Sequence, residues 1–122
     1  MTVDLSARLG PIDLRTPLVA ASGTVGSVWE LAQAADTRPY GAMIAKSVSP
    51  VPWEGRPPPR LAPAGLGMLN GIGIQNPGLE EWIRETSPRL REVEAPVWGS
   101  TVGHTPEEFA RVAAGLEAAG VE

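Results

Sequence analysis

The sequence predicts an α/β protein in which a parallel sheet is built from strand–helix units. Short continuous apolar runs, typical of strands buried on both faces, alternate with segments that have helical periodicity. The 13 prolines and 14 glycines concentrate between these segments, as they do in loops. An N-terminal hairpin at residues 3–14 precedes three units, at residues 17–36, 41–92 and 96–120. This order favours right-handed crossover connections within one sheet.

Length and composition predict a soluble chain of one domain. At 122 residues, 43% of them hydrophobic, the chain can bury a modest core. Its net charge of −4 argues against nucleic-acid binding, which requires clustered Lys and Arg. The absence of cysteine excludes a disulfide, a thiolate metal site and a cysteine nucleophile within these residues. No apolar run reaches the roughly 18 residues of a membrane span, and the N-terminus lacks an apolar signal sequence, which predicts a cytoplasmic protein without membrane contact.

The hairpin and the first unit are marked by short patterns. Residues 3–8 alternate between apolar and polar positions, residues 12–14 offer a second strand, and a Gly-Pro pair between them supplies the turn. The apolar run 18–21 predicts the first strand of the parallel sheet. A helix is predicted at residues 28–35.

The second unit is the longest of the three. It opens with the apolar run 41–45, and the proline-rich patch 50–63 that follows is too short to be a domain boundary. Apolar residues near helical spacing predict a helix at residues 79–90, which Pro88 weakens at its end.

The third unit contains the clearest helix. A short strand at residues 96–100 precedes a capping box, in which Thr105 and Glu108 flank a proline at the first helical position. Gly120 is a suitable C-terminal stop. The apolar residues of this helix form one predicted stripe: Phe109, Val112, Ala113 and Leu116.

The stretch 65–78, GLGMLNGIGIQNPG, combines five glycines with the carboxamides of Asn70, Gln75 and Asn76. One interpretation is a glycine-rich hairpin with Asn70-Gly71 as its tight turn. The other is a surface for a flat ligand whose edges alternate C=O and N–H groups, since a carboxamide both accepts and donates hydrogen bonds and glycine allows close approach.

The three predicted strands all end in small or polar residues that can bind a ligand. In parallel α/β sheets ligands bind at the carboxyl ends of the strands, so these endings predict a shared site. Lys46 is the strongest single candidate: it is either a lysine that reaches to solvent or a fixed cation for a carboxylate or for charge developing on a cofactor ring. The endings are Ser22-Gly23, Lys46-Ser47 and Gly99-Ser100.

Several other kinds of site are absent from the sequence. The dinucleotide pattern GxGxxG fails at its third glycine, which is Asn70 in one register and Asn76 in the other. No GxxxxGK[ST] phosphate loop occurs. His104 is the only histidine, which leaves little for a metal site or a Ser–His–Asp triad.

Four segments together resemble the class 1 dihydroorotate dehydrogenases, and most of all the soluble bacterial class 1B catalytic subunit. They are PLVAASGT at residues 17–24, IAKS at 44–47, PRL at 59–61 and GMLNGIGIQNPG at 67–78. The resemblance implies the N-terminal part of a (β/α)8 TIM barrel that binds FMN at its carboxyl mouth. It implies oxidation of dihydroorotate to orotate in pyrimidine (UMP) biosynthesis, with the catalytic base, a cysteine in class 1, expected beyond Glu122.

The resemblance also implies roles for individual residues. Ser22, Gly23, Lys46, Ser47 and Ser100 correspond to cofactor-binding positions, although Ser100 stands where the family usually has an asparagine. Lys46 would act electrostatically beside the flavin, with no metal involved. The residues implied to bind substrate are Lys46, Asn70, Gly71, Ile72, Gly73 and Ile74.

The electron acceptor is left open. Class 1B resemblance implies a partner subunit that carries FAD and a [2Fe–2S] cluster and passes electrons to NAD, in a heterotetramer. Class 1A enzymes are homodimers that use fumarate. Two alternatives to the complete enzyme remain: a catalytically inactive half-barrel that lacks the base, and a related FMN-dependent dihydropyrimidine dehydrogenase-like domain.

Overall fold

A three-stranded parallel sheet forms the centre of the protein. The computed structural model describes residues 3–121. Strands β3 (Val19–Ala20), β4 (Ala42–Ile44) and β7 (Val97–Trp98) lie in the order β3-β4-β7, and both strand pairs are parallel. Ala42 and Met43 of the central strand are completely buried. The sheet confirms the predicted α/β class.

Two antiparallel hairpins accompany this sheet. The first pairs β1 (Ala7–Leu9) with β2 (Ile12–Leu14), inside the predicted segment 3–14. Its two-residue loop begins at Gly10, whose φ of 58° lies in the left-handed region that glycine adopts without strain.

The second hairpin lies where one was predicted, but its turn is elsewhere. Strands β5 (Leu61–Ala64) and β6 (Gly67–Asn70) are joined through Gly65, which has a φ of 57°. The prediction of Asn70-Gly71 as the tight turn is wrong, because Asn70 pairs with Leu61 at the end of the ladder. The partner strand begins at the end of the proline-rich patch, where Pro63 made a strand hard to predict.

Two of the predicted helices are shorter than their sequence patterns. Helix α1 is a single turn, Trp29–Ala32, where the prediction was 28–35. Val28 is excluded from its start because it is buried with a φ of 78°, and the helix ends three residues before the predicted end. Helix α2 spans Leu79–Glu85 and gives way to a 3₁₀ helix at Ser87–Glu92. This break agrees with the predicted effect of Pro88, whose nitrogen has no proton to donate. Within residues 3–121, every helix falls short of the length and apolar character needed to cross a bilayer.

Helix α3 (Pro106–Ala118) is capped at both ends much as predicted. The Thr105 hydroxyl accepts from the Glu108 amide at 3.3 Å, whereas the Glu108 carboxylate accepts from the His104 amide at 2.6 Å instead of closing the box on Thr105. Gly120 follows the helix with a φ of 84°.

The buried face of α3 is narrower than the predicted stripe. Val112 and Leu116 are buried, but Phe109 is 41% exposed and Ala113 is exposed as well. Gly115 completes the buried face, because a Cβ built there would lie 2.7 Å from the Leu79 side chain. The close contact between α3 and α2 therefore depends on a glycine.

The hydrophobic core lies between the sheet and helices α2 and α3. Trp82 of α2 is its largest fully buried side chain. Its indole Nε1 has no hydrogen-bond partner within residues 3–121. The buried members of the core are Ala20, Val28, Met43, Ala45, Val48, Trp82, Ala95, Val112, Leu116 and Val121.

We expect Trp82→Ala to lower the free energy of unfolding by about 3–5 kcal/mol, since it empties the largest core position. Trp82→Phe should cost much less, about 1 kcal/mol, because it keeps an aromatic ring and removes a buried N–H without a partner. Urea unfolding followed by far-UV circular dichroism measures both variants. Equal losses for the two would contradict this account of the core.

Candidate functional site

Three serine side chains meet at the carboxyl edge of the parallel sheet. The Ser47 hydroxyl lies 2.9 Å from that of Ser100 and 3.4 Å from that of Ser22. The Ser22 hydroxyl also donates to the carbonyl of Ala45 at 2.8 Å. Each serine follows a different strand, so the row crosses the whole sheet. The predicted convergence of these strand ends is found in the structure.

Lys46 lies beside this serine row. It is the only lysine of the chain, its side chain is partly exposed, and it forms no ion pair with any residue from 3 to 121. Its amide donates to the carbonyl of Gly26 at 3.0 Å, which ties the strand end to the loop after β3. Gly23 of the same loop approaches the lysine stem, since a Cβ built there would lie 3.6 Å from Lys46 Cδ.

Partial burial lowers the pKa of Lys46 from its ordinary value of 10.5. The cause is desolvation, which disfavours the charged form. A cation held without a carboxylate partner is available to an anionic ligand.

A cleft of about 510 Å³ opens over Lys46. Trp53 forms part of its wall, and the Trp53 ring stacks on His104 with centroids 5.0 Å apart and planes at 29°. Gln75 and Asn76 bring the glycine-amide stretch into the same cleft. The strand end that carries Lys46 and the glycine-amide stretch therefore share one opening.

The loop Gly71–Ile74 folds back on the segment that precedes the second hairpin. The Gly71 amide donates to the carbonyl of Arg60 at 2.8 Å, and the Arg56 amide donates to the carbonyl of Ile72 at 3.0 Å. At Gly73, where φ is 76°, a Cβ would lie 2.8 Å from the Arg56 amide nitrogen. Glycine is required there both by the backbone conformation and by the space.

The side chains of Arg60 and Asn76 support the end of this loop and the residue that follows it. The Arg60 guanidinium donates to the carbonyls of Arg56 and Glu54 and to the Gln75 side chain. The buried Asn76 carboxamide bonds to Ser49 and to backbone groups of its own stretch. The loop thus has defined hydrogen-bond partners although most of its residues are exposed.

Of the predicted substrate residues, only Lys46 itself lines the Lys46 cleft, and none of residues 70–74 does. Asn70 and Gly71 line a separate cavity of about 310 Å³, together with Arg56 and Arg60. Asn70 Oδ1 accepts from the Ile72 amide at 3.1 Å, and its Nδ2 has no partner among residues 3–121. The structure therefore joins Ser22, Gly23, Lys46, Ser47 and Ser100 at one edge and sets the run from Asn70 to Ile74 beside it.

Sequence reasoning missed four residues that shape this region. Ser49 could have been found from its spacing, since it follows Ser47 by two positions and alternate residues of an extended chain share a face. Arg60 lies in the PRL segment but was assigned no role. Trp53 and His104 are far apart in the sequence, and no local pattern predicts that they stack.

Comparison with known proteins identifies the family. The family model of dihydroorotate dehydrogenase matches residues 4–121. The chain belongs to the dihydroorotate dehydrogenase family. This confirms the resemblance found in the four sequence segments, and the family's enzymes are flavin-dependent oxidoreductases.

The curated relatives are catalytic subunits by name. The chain is 38% identical over 117 residues to "Dihydroorotate dehydrogenase B (NAD(+)), catalytic subunit" of Desulforudis audaxviator, covering 96% of this chain and 38% of that protein. It is 40% identical over 114 residues to the subunit of the same name from Trichlorobacter lovleyi, covering 93% and 38%. The chain therefore spans about two-fifths of the length of these relatives.

Solved structures show the same fold. The dihydroorotate dehydrogenase of Eimeria tenella, crystallised with ferulenol, matches with a TM-score of 0.63 at 18% identity. The match covers 96% of this chain and 34% of that one. It confirms the predicted fold class, part of the (β/α)8 barrel of dihydroorotate dehydrogenases.

The residues at the sheet edge fit a flavin of this family. A flavin ring presents carbonyl oxygens and ring nitrogens along its edge and is tuned by nearby charge. The serine row offers three hydroxyls, and Lys46 offers a cation without a carboxylate partner in the described chain. Gly23 leaves room beside the lysine stem.

We expect the pKa of Lys46 to be lower in the folded chain than in the same chain unfolded in urea. The folded state then binds this proton less tightly, so the lysine's contribution to the free energy of unfolding rises as the pH increases through the folded pKa towards 10.5. Because Lys46 is the only lysine, reductive ¹³C-methylation labels one side chain besides the N-terminus, and NMR follows its titration. Equal midpoints in the folded and unfolded chain would contradict the desolvation of Lys46.

Proposed function

We propose that this chain supplies the first part of an FMN-dependent barrel that oxidises dihydroorotate to orotate in pyrimidine biosynthesis. The observation that carries the proposal is the cluster at the sheet edge, where three strand ends bring hydroxyl groups and Lys46 together. In this proposal, residues 1–122 form one incomplete domain that consists of the hairpin 3–14 and the units 17–36, 41–92 and 96–120. The complete protein would be cytoplasmic.

The cofactor would be held by the strand ends. Ser22, Ser47 and Ser100 would hydrogen-bond the flavin, Gly23 would leave space for it, and Lys46 would lie beside its ring. When bound, FMN supplies a hydride acceptor. Mutual contacts hold the three hydroxyls in fixed places, which favours binding of a rigid planar group; the Ser22 proton is donated to Ala45, so this hydroxyl would accept a hydrogen bond from the flavin.

Lys46 would act as a fixed positive charge at this edge. Its partial desolvation strengthens any electrostatic interaction it makes, since the local dielectric constant is lower than that of water. A cation in this position stabilises negative charge that develops during the reaction and orients a carboxylate. No proton transfer is assigned to Lys46; a base beyond Glu122 remains part of the proposal.

The run from Asn70 to Ile74 would bind the substrate. Dihydroorotate has a ring with imide edges and a carboxylate, which require both donors and acceptors. Asn70 Nδ2 lacks a partner among residues 3–121 and can donate to a carbonyl, while glycines at 71 and 73 let backbone groups approach a ring closely.

The relatives' names support a partner subunit. They are catalytic subunits of an NAD(+)-dependent enzyme, which implies that a second subunit exists in those proteins. We propose for this protein an electron-transfer partner that carries FAD and a [2Fe–2S] cluster, with a heterotetramer as the complete assembly and a fumarate-reducing homodimer as the alternative.

A barrel chimera tests the function. In it, the 117-residue segment of the Desulforudis audaxviator subunit is replaced by the matching residues of this chain. We expect a yellow protein that oxidises dihydroorotate. Lys46→Ala should keep the flavin but lower kcat/KM about 10²- to 10³-fold, since a fixed charge near the reacting atoms is lost. Flavin absorbance and orotate formation measure the two effects.

The control is Arg8→Ala, which removes an exposed cation of the N-terminal hairpin and should leave kcat/KM unchanged. A folded chimera without flavin would overturn the proposed function, and near-normal turnover of Lys46→Ala would reduce Lys46 to a solvent-reaching lysine. The 122-residue chain is assayed in parallel. A colourless, inactive chain beside an active chimera would support the alternative of a half-barrel that cannot catalyse alone.

A further inference from the structure

Of the three carboxamide residues in the glycine-amide stretch, Asn76 is the buried one, with 7% of its surface exposed. Its Oδ1 accepts hydrogen bonds from the Ser49 amide and the Gly78 amide, each at 3.0 Å, and lies 2.8 Å from the Ser49 hydroxyl, whose single proton is shared with the Val51 carbonyl at 2.6 Å. Its Nδ2 donates to the carbonyl of Ile74 at 2.9 Å. The oxygen of the carboxamide therefore contacts the segment that contains Ser49, and its nitrogen contacts the segment that contains Ile74.

The two segments are those to which the proposed function gives different ligands. Ser49 continues the extended chain that carries Lys46 and Ser47, the cofactor side of the site. Ile74 ends the run proposed to bind the substrate. The Asn76 backbone strengthens the link, since its amide and carbonyl pair with those of Trp53 at 3.0 Å each.

Ile74 has a backbone conformation that needs such support. Its φ of 53° lies in the left-handed region, which β-branched residues rarely adopt. Gly73 before it has a φ of 76°. Strained positions of this kind persist where surrounding contacts hold them and are concentrated in ligand-binding segments. The bond from Asn76 Nδ2 to the Ile74 carbonyl is such a contact.

We propose that Asn76 is a positioning residue: it fixes the backbone of Gly73 and Ile74 relative to the strand end that carries Lys46. The substrate would then be held at a fixed position relative to the flavin. The inference rests on the proposed function and adds a residue to which the family resemblance assigned no role. The Oδ1 and the Nδ2 of Asn76 each bond to protein groups, so we assign Asn76 a positioning role at the border of the Lys46 cleft.

Asn76→Asp separates positioning from simple packing. An aspartate is almost isosteric and keeps an acceptor for Ser49 and Gly78, but it replaces the donor to Ile74 with an oxygen that repels the Ile74 carbonyl and, when ionised, adds a buried negative charge. In the barrel chimera we expect this variant to retain flavin and kcat within about twofold, while KM for dihydroorotate rises about tenfold, since one hydrogen bond that holds the binding loop is lost. In the 122-residue chain, amide exchange at Gly73 and Ile74 should become faster.

The milder variant Ser49→Ala removes the hydroxyl but keeps the amide that holds Oδ1, and we expect KM to rise about twofold. Thr105→Ala, at the start of helix α3, is the matched control: it removes the helix cap to Glu108 while the ring of His104 stays in place, and it should leave KM unchanged because the Thr105 side chain bonds to Glu108 and not to the loop.

An unchanged KM in a folded Asn76→Asp variant would overturn the inference, and so would an equal rise in Thr105→Ala, because the effect would then be general destabilisation. If Asn76→Asp does not fold, Ser49→Ala decides: a raised KM supports positioning and an unchanged KM overturns it. An unsubstituted chimera that fails to oxidise dihydroorotate overturns the proposed function instead, before any variant is compared.

Discussion

The central strand β4 and the extended residues after it form backbone hydrogen bonds with both neighbouring strands. The position of the candidate site depends on this pairing. The Gly41 amide bonds to the β3 side, and the amides of Met43, Ala45 and Val48 bond to the β7 side, at 2.8–3.0 Å. Because the chain stays extended beyond β4, alternate side chains keep a constant direction. Lys46 and the residues around it are therefore placed by the sheet, not by a loop of their own.

The other half of the site has a different kind of support. The glycine-amide stretch is attached to the continuation of β4 through the Asn76 side chain, and to the proline-rich patch through the Arg60 side chain and a short backbone bridge at Trp53. Such attachments can be broken one at a time, whereas a strand end moves only with its sheet. In the proposed function, the sheet edge would hold a flat cofactor that stays bound, and the separately tethered loop would suit a small substrate that is exchanged.

The sequence predicted the sheet edge better than the loop. Ser22, Lys46-Ser47 and Ser100 could be placed together because buried parallel strands bring their carboxyl ends to one edge whatever the connections between them. The prediction of a tight turn at Asn70-Gly71 was wrong because the partner strand contains Pro63, and no strand was predicted in the proline-rich patch. The apolar stripe predicted on α3 was wider than the buried face, because periodicity alone cannot show that Phe109 is exposed.

Asn70 and Asn76 show where sequence reasoning stops. They are the same residue type, lie six positions apart in one stretch, and have the same capacity to accept and donate. In the structure Asn76 is buried with every polar atom bonded, while Asn70 is exposed with a free donor among residues 3–121. A buried polar group must be satisfied by the protein, so it stabilises a shape; an exposed one that keeps a donor can bind a ligand. Tertiary burial alone assigns the two residues to these different tasks, and no local pattern contains that information.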